Sequence, residues 1–347
     1  MSSEQPTWEE RVAGLRGRYN TLRDKISMDD VTRKLGDVAT EIAGLPGEIK
    51  GLRERGYAFA GYLERKADVL ATQWDEVRQQ VQQVISQEID RVQRQFDELS
   101  DMWRRLETHL NDPRREQNFR RVSVSLDTVE KAADAARSRI EGTYGQVPDN
   151  VSQTRSQIRQ IQGYLALADE STADWKPTEA LFMVHEAEWV KSGKGKEDPD
   201  GLIFLTDQRL IFEQKEKVGG RLGFGGEKVQ QVLFETPVGA ISEVLSEDKG
   251  LFGRKDLVHL KLSSGDYAEV TFEVKSGGID SKWYTQQLNR VVSGEIEKER
   301  AIPVDEAAAQ AVREAPTACT TCGATLPPIT RGQTEMTCQY CGTVVRI

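Results

Sequence analysis

From Trp8 to Leu165 the apolar residues return every three or four positions, and no other feature limits the possible folds of this 347-residue chain so strongly. A stretch with that period has to be helix with one buried stripe. The stripe runs Trp8, Val12, Leu15, Tyr19, Leu22, Ile26 and, after a break at Ser27 to Asp30, Val31, Leu35, Val38, Ile42, Leu45. Gly44 and Pro46-Gly47 are read as an interruption, and a long helix is expected over about 48–111, carrying Leu63, Leu70, Trp74, Val81, Phe96, Leu99 and Trp103. Its four-residue steps from Val77 to Ile89 form a stutter. Pro113 ends it, and two shorter helices follow through Val122, Leu126, Val129, Ile140 and through Val151, Ile158, Leu165. A helix of that length cannot bury its own stripe. The expectation for residues 1–172 is an antiparallel bundle or coiled coil, with pairing between chains, and so a homo-oligomer, as the alternative.

Beyond residue 172 the period changes to strands. Runs at 181–190, 201–206, 209–217, 229–235, 238–245, 257–263 and 267–274 are expected to form a seven-stranded barrel, with 229–235 and 238–245 paired through a turn at Thr236-Pro237. A helix opening at Ile279-Asp-Ser281, with Tyr284, Leu288 and Val291 on its apolar face, closes the domain. The strand order, the phrase Leu205-Thr-Asp-Gln-Arg-Leu-Ile-Phe212 and the later Lys249-Gly-Leu-Phe-Gly-Arg-Lys-Asp-Leu257 resemble the pleckstrin-homology-like superfamily, in particular its GRAM and bacterial PH branches. That resemblance, over residues 178–296, implies a binding module for lipid headgroups or for protein. Phosphoinositide-binding members place a basic pair at the second hairpin. Here Asp207 stands in the first position and only Arg209 in the second, so headgroup specificity does not carry over.

A strict meander would gather the long connections at one end. There, Lys191, Lys194 and Lys196, then Arg221 and Phe224, then Lys249, Phe252, Arg254 and Lys255 combine cations with apolar tips, the pattern of loops that touch an anionic membrane surface. Glu197, Asp198 and Asp200 work against it. His185 and His259 read as satisfied strand residues. Gly219 to Lys228 fails as a phosphate loop because a strand, not a helix, follows it.

After a linker over 297–317 with a short helix, the chain ends in Cys319-Thr-Thr-Cys322-Gly323 and Cys338-Gln-Tyr-Cys341-Gly342. Two residues between cysteines let one turn aim both thiolates at one ion, and glycine after each pair permits the backbone such a knuckle needs. Residues 318–347 are therefore expected to form a four-cysteine ribbon around structural zinc, similar to the rubredoxin-like zinc ribbons.

Function classes narrow accordingly. A net charge of −9 and a ribbon whose cations are Arg331 and Arg346 argue against nucleic acid as a partner. With no leader or spanning segment apparent, a cytoplasmic protein is expected, peripheral to a membrane if the loops bind one. No nucleophile, base or open metal position can be assembled, so the expectation is a non-enzymatic scaffold or adaptor that docks protein partners.

Overall fold

The computed structural model describes residues 6–191, 198–218, 227–249, 255–275 and 278–346. They form two compact units, residues 6–47 with 64–156, and residues 48–63 with the rest of the chain from 157.

The first unit is helical: α1 (Trp8–Lys25), most of α2 (Asp29–Glu54), nearly all of α3 (Tyr62–Thr108), α4 (Arg115–Tyr144) and the start of α5 (Val147–Asp169). Thr7 caps α1 in a reciprocal box with Glu10. The expected stripe is the buried one: Val12, Leu15 and Leu22 on α1, Val31, Leu35 and Val38 on α2, Val122, Leu126 and Val129 on α4. Ion pairs give the directions. Arg11 meets Glu116 at 2.8 Å and Arg18 meets Asp127 at 2.6 Å, with Lys25 on Asp134, so α1 and α4 run parallel. Arg16 meets Glu107 at 3.0 Å while Tyr19 stacks on Trp103 at 5.2 Å and on Phe96 at 5.2 Å, so α3 runs the other way. Arg137 to Asp30 and Arg155 to Glu41 align α2 with α4 and α5. Within this unit α1 and α4 thus run one way and α3 the other, and all of these contacts are made inside one chain.

The long helix expected over 48–111 is not present as such. Pro46 lies inside α2, at the cost of one backbone hydrogen bond, and the break comes at residues 55–61. There Gly56 has φ +81° and Ala60 φ +55°, and the Arg53 guanidinium donates to the carbonyls of Tyr57 (2.8 Å), Phe59 (2.6 Å) and Ala60 (3.1 Å). Tyr57 to Ala60 are buried, so tertiary contacts override the helical period.

The second unit contains seven antiparallel strands: β1 (Leu181–Trp189), β2 (Asp200–Thr206), β3 (Arg209–Val218), β4 (Glu227–Pro237), β5 (Ile241–Lys249), β6 (Lys255–Leu262) and β7 (Glu269–Val274). Their order is β4-β3-β2-β1-β7-β6-β5. The strand count matches the expectation, but the sheet is not a closed barrel, because among the described residues β4 and β5 share no ladder. The expected pair across Thr236-Pro237 is likewise absent. Pro237 has no N–H with which to continue a ladder, and a short 3-10 turn at Val238–Ala240 carries the chain from one edge of the sheet to the other. Phe234 on β4 instead lies 5.9 Å from Tyr267 in the turn between β6 and β7, and both contact Trp189.

Trp189, Phe204, Phe212 and Phe272 fill the interior. Gly201 is required where β2 crosses β3, since a Cβ there would lie 2.0 Å from the Glu213 carbonyl oxygen. The helix α6 (Ser281–Val292), capped by Asp280, buries Tyr284, Leu288 and Val291 and packs on β5 and β6. Residues 297–302, where composition led us to expect a free spacer, are held: Gly61 donates to the Glu299 carbonyl at 2.7 Å and Ala301 to that of Ala58 at 2.6 Å. A short helix α7 (Glu306–Glu314) and two strands, β8 (Glu335–Thr337) and β9 (Val344–Arg346), complete the chain. Among the described residues no helix is long and apolar enough to cross a membrane.

Candidate metal centre

The four cysteines converge. Their sulfurs all lie within 4.8 Å of one another, with Cys319 to Cys341 and Cys322 to Cys338 each at 3.6 Å. A tetrahedral ion bonded at about 2.3 Å, the usual zinc–thiolate length, would space its sulfurs about 3.8 Å apart, so the donor set fits a four-thiolate metal site.

Two copies of one turn build it. The Cys319 amide donates to the Ala324 carbonyl at 2.8 Å and Gly323 donates back to Cys319 at 2.8 Å; Cys338 with Thr343, and Gly342 with Cys338, repeat this at 2.9 Å each. Gly323 and Gly342 have φ +71° and +75°, the left-handed backbone that lets amides turn toward sulfur. Those amides tune the thiols. The backbone N–H groups of Cys322 and Thr321 hold Cys319 below the ordinary thiol range, and the Thr343 hydroxyl and amide lower Cys341 to about 6. The Ala324 amide pulls on Cys322, but the sulfurs of Cys341, Cys338 and Cys319, with desolvation, push it up to about 12. A bound cation would remove that conflict by taking all four as thiolates.

Beneath the sulfurs lie Leu326, Met336 and Val345, flanked by Ala324 and Ile329. The outer surface is different. Tyr340, between the second pair of cysteines, is 81% exposed and Val344 is 54% exposed. The ribbon is tied to the segment before β1 through Arg331, whose amide donates to the Trp175 carbonyl at 2.7 Å and whose guanidinium donates to the Glu179 carbonyl. Sequence reasoning noted Arg331 only as a charge.

The cationic loop residues are not brought together in the same way. Lys194, Lys196, Arg221, Phe224, Phe252 and Arg254 lie outside the described residues, and Lys249 contributes only its backbone. Lys191 is exposed, its ammonium 3.7 Å from the Trp189 ring centroid, and Lys255 is bound by Glu273. Register also overturns the expected gathering of long connections at one end. β1 ends beside Phe272, so the β6–β7 turn opens at the end where β1 and β2 are joined, while Lys249 and Lys255 pair beyond Val274 at the opposite end. A strict meander fails because β1 and β7, which would run the same way in one, pair antiparallel.

Arg209 is removed from any ligand surface by its own contacts. It is 4% exposed, and its guanidinium donates to both oxygens of Glu179 at 2.8 and 2.9 Å, to Glu235 and to the Asp174 carbonyl. Asp207 is equally committed, accepting from the Ala180 amide at 2.9 Å and from Arg300 at 2.6 Å. Burial pushes its carboxyl up against their pull. His185 is buried among Tyr164, Trp283 and Tyr284, and desolvation lowers it to about 4. His259 bonds Thr271 at 2.9 Å and Glu247 at 3.1 Å, as expected of a satisfied strand residue.

No protein-family model and no curated protein matches the chain. Among solved structures it is similar to the N-terminal PH domain of Vps36 at 15% identity, covering 37% of this chain and 92% of that one, with a TM-score of 0.24. A pleckstrin homology domain from Shewanella amazonensis gives 20% identity, coverage of 38% and 97%, and a TM-score of 0.23. The DH/PH domains of PDZ-RhoGEF in complex with activated RhoA give 11%, coverage of 84% and 96%, and 0.26. At scores this low the observed strand order, not the likeness, describes the fold.

Proposed function

We propose that this protein is a non-enzymatic cytoplasmic adaptor, in which a PH-like sheet and a zinc ribbon dock protein partners and the helical bundle spaces or oligomerises them. The observation that carries this reading is the complete donor set at the ribbon. Four thiols within 4.8 Å fill the coordination sphere of a tetrahedral zinc ion, so metal there builds a surface and leaves no position for substrate. That surface presents Tyr340 and Val344 to solvent. An exposed aromatic on a rigid turn is the type of side chain that anchors protein interfaces. Nothing comparable supports nucleic acid, whose phosphates would need a denser cationic face.

The test uses the zinc-loaded, full-length chain. Partners identified by cross-linking are to be purified and titrated against wild type and Tyr340→Ser, with vesicles containing phosphatidylserine run in parallel against wild type, Phe224→Ser and Phe252→Ser. The adaptor reading expects a purified protein whose binding weakens at least about tenfold with Tyr340→Ser. Vesicle flotation that depends on Phe224 and Phe252, with no protein partner reconstituted, would replace it with membrane attachment through the loops. Sedimentation of the same sample decides whether the bundle also makes oligomers.

A further inference from the structure

Between the last turns of α3 and the first turns of α4 the helical bundle has a cleft of about 320 Å³, lined by Arg105, Leu106, His109, Asn118, Arg121 and Val122. Arginines that cross between helices of this bundle end on carboxylates, as Arg11, Arg16, Arg18 and Arg137 do. Even the sequence neighbours Arg104 and Arg120 reach Asp101 at 3.3 Å and Glu116 at 3.6 Å. Arg105 and Arg121 enter one cleft from two helices, and among the described residues neither has an ion-pair partner.

We infer that this cleft binds a phosphate monoester carried on a small apolar body. Arg105 from α3 and Arg121 from α4 together offer two guanidinium forks to one cleft, and a phosphate monoester, with three oxygens, can accept more of their N–H groups than a carboxylate can. Asn118 lies in the first turn of α4, where its own N–H is already bonded to the Arg114 carbonyl at 3.0 Å and the helix dipole adds positive potential. The Nδ1 of His109 donates to the Arg105 carbonyl at 3.1 Å, which holds the ring at the cleft. Asp112 is the acidic group at the cleft. Its Oδ1 accepts from the Arg114 amide at 2.6 Å and closes the turn into α4, so two guanidiniums still outweigh one carboxylate. Leu106 and Val122 are buried and make an apolar floor, which is why the cleft suits an ester with an organic body better than inorganic phosphate.

Calorimetric titration of the full-length chain with phenyl phosphate, inorganic phosphate and phenylacetate separates these features. Phenyl phosphate is expected to bind saturably and more tightly than either control, and Arg105→Gln and Arg121→Gln are each expected to weaken it by at least about tenfold. Both side chains are exposed, so the melting of either variant should match wild type. The inference is overturned if phenyl phosphate and phenylacetate bind alike, if the two variants keep wild-type affinity, or if no saturable binding appears below about 10 mM.

Discussion

The ribbon and the seven-stranded sheet belong to one compact unit but are held together by opposite means. The sheet encloses Trp189, Phe204, Phe212 and Phe272 and needs nothing from outside the chain. The ribbon buries Leu326, Met336 and Val345 beside two of its own cysteines. So small an apolar set cannot offset an ordering cost of about 1–2 kcal/mol for each backbone residue. The contrast separates a region whose fold is a property of its packing from one whose fold is a property of its ligand.

The largest effect should therefore come from the metal. Chelation, or Cys338→Ser, is expected to unfold residues 318–346 completely, because metal binding and folding are one event in a module of this size. Amide exchange would show protection lost across the ribbon and kept across β1 to β7. Loss of both together would erase the contrast and make the ribbon part of the sheet's own cooperative fold.

Next comes the polar heart of the sheet. Arg209→Ala strands the Glu179 carboxylate, whose side chain is 0% exposed, and should cost about 3–5 kcal/mol. Thermal unfolding should fall accordingly while metal content stays at one ion per chain. Replacing both partners with methionine should recover much of the loss, since an apolar pair leaves no buried charge behind. If the single and double variants melt alike, the ion pair is not what secures this end of the sheet.

The same two regions mark how far the amino-acid order could be read. Cys319, Cys322, Cys338 and Cys341 were legible because their chemistry is local: spacing alone sets which sulfurs can share an ion. The helical stripe was legible too, since Val12, Leu15, Val31 and Leu126 obey one period and are all buried. The open sheet was not, because the jump from β4 to β5 depends on β1 pairing with β7, a contact between Ala187 and Val274 that no neighbouring residue announces. Pro46 gave a misleading stop, while the real break at residues 55–61 goes with the burial of Tyr57 and Phe59, which the helical period does not show. Arg209 showed its charge in the sequence but not its partner, the buried Glu179 carboxylate that makes it a structural residue.

The smallest expected effect is the one that asks whether ribbon and sheet are independent at all. Arg331 delivers a guanidinium to the Glu179 carbonyl, just where the Glu179 carboxylate receives Arg209. Arg331→Ala removes that bond but leaves its backbone bond to Trp175, so the sheet should lose about 1 kcal/mol with the thiol site intact. Combining this substitution with chelation makes a thermodynamic cycle. In metal-loaded protein Arg331→Ala should lower the sheet's melting temperature, whereas in metal-free protein, where the unfolded ribbon no longer holds the arginine in place, it should do nothing. Equal effects in both states would mean that Arg331 acts on Trp175 and Glu179 without help from the ribbon. A zero effect in both would leave the two regions energetically separate despite their contact.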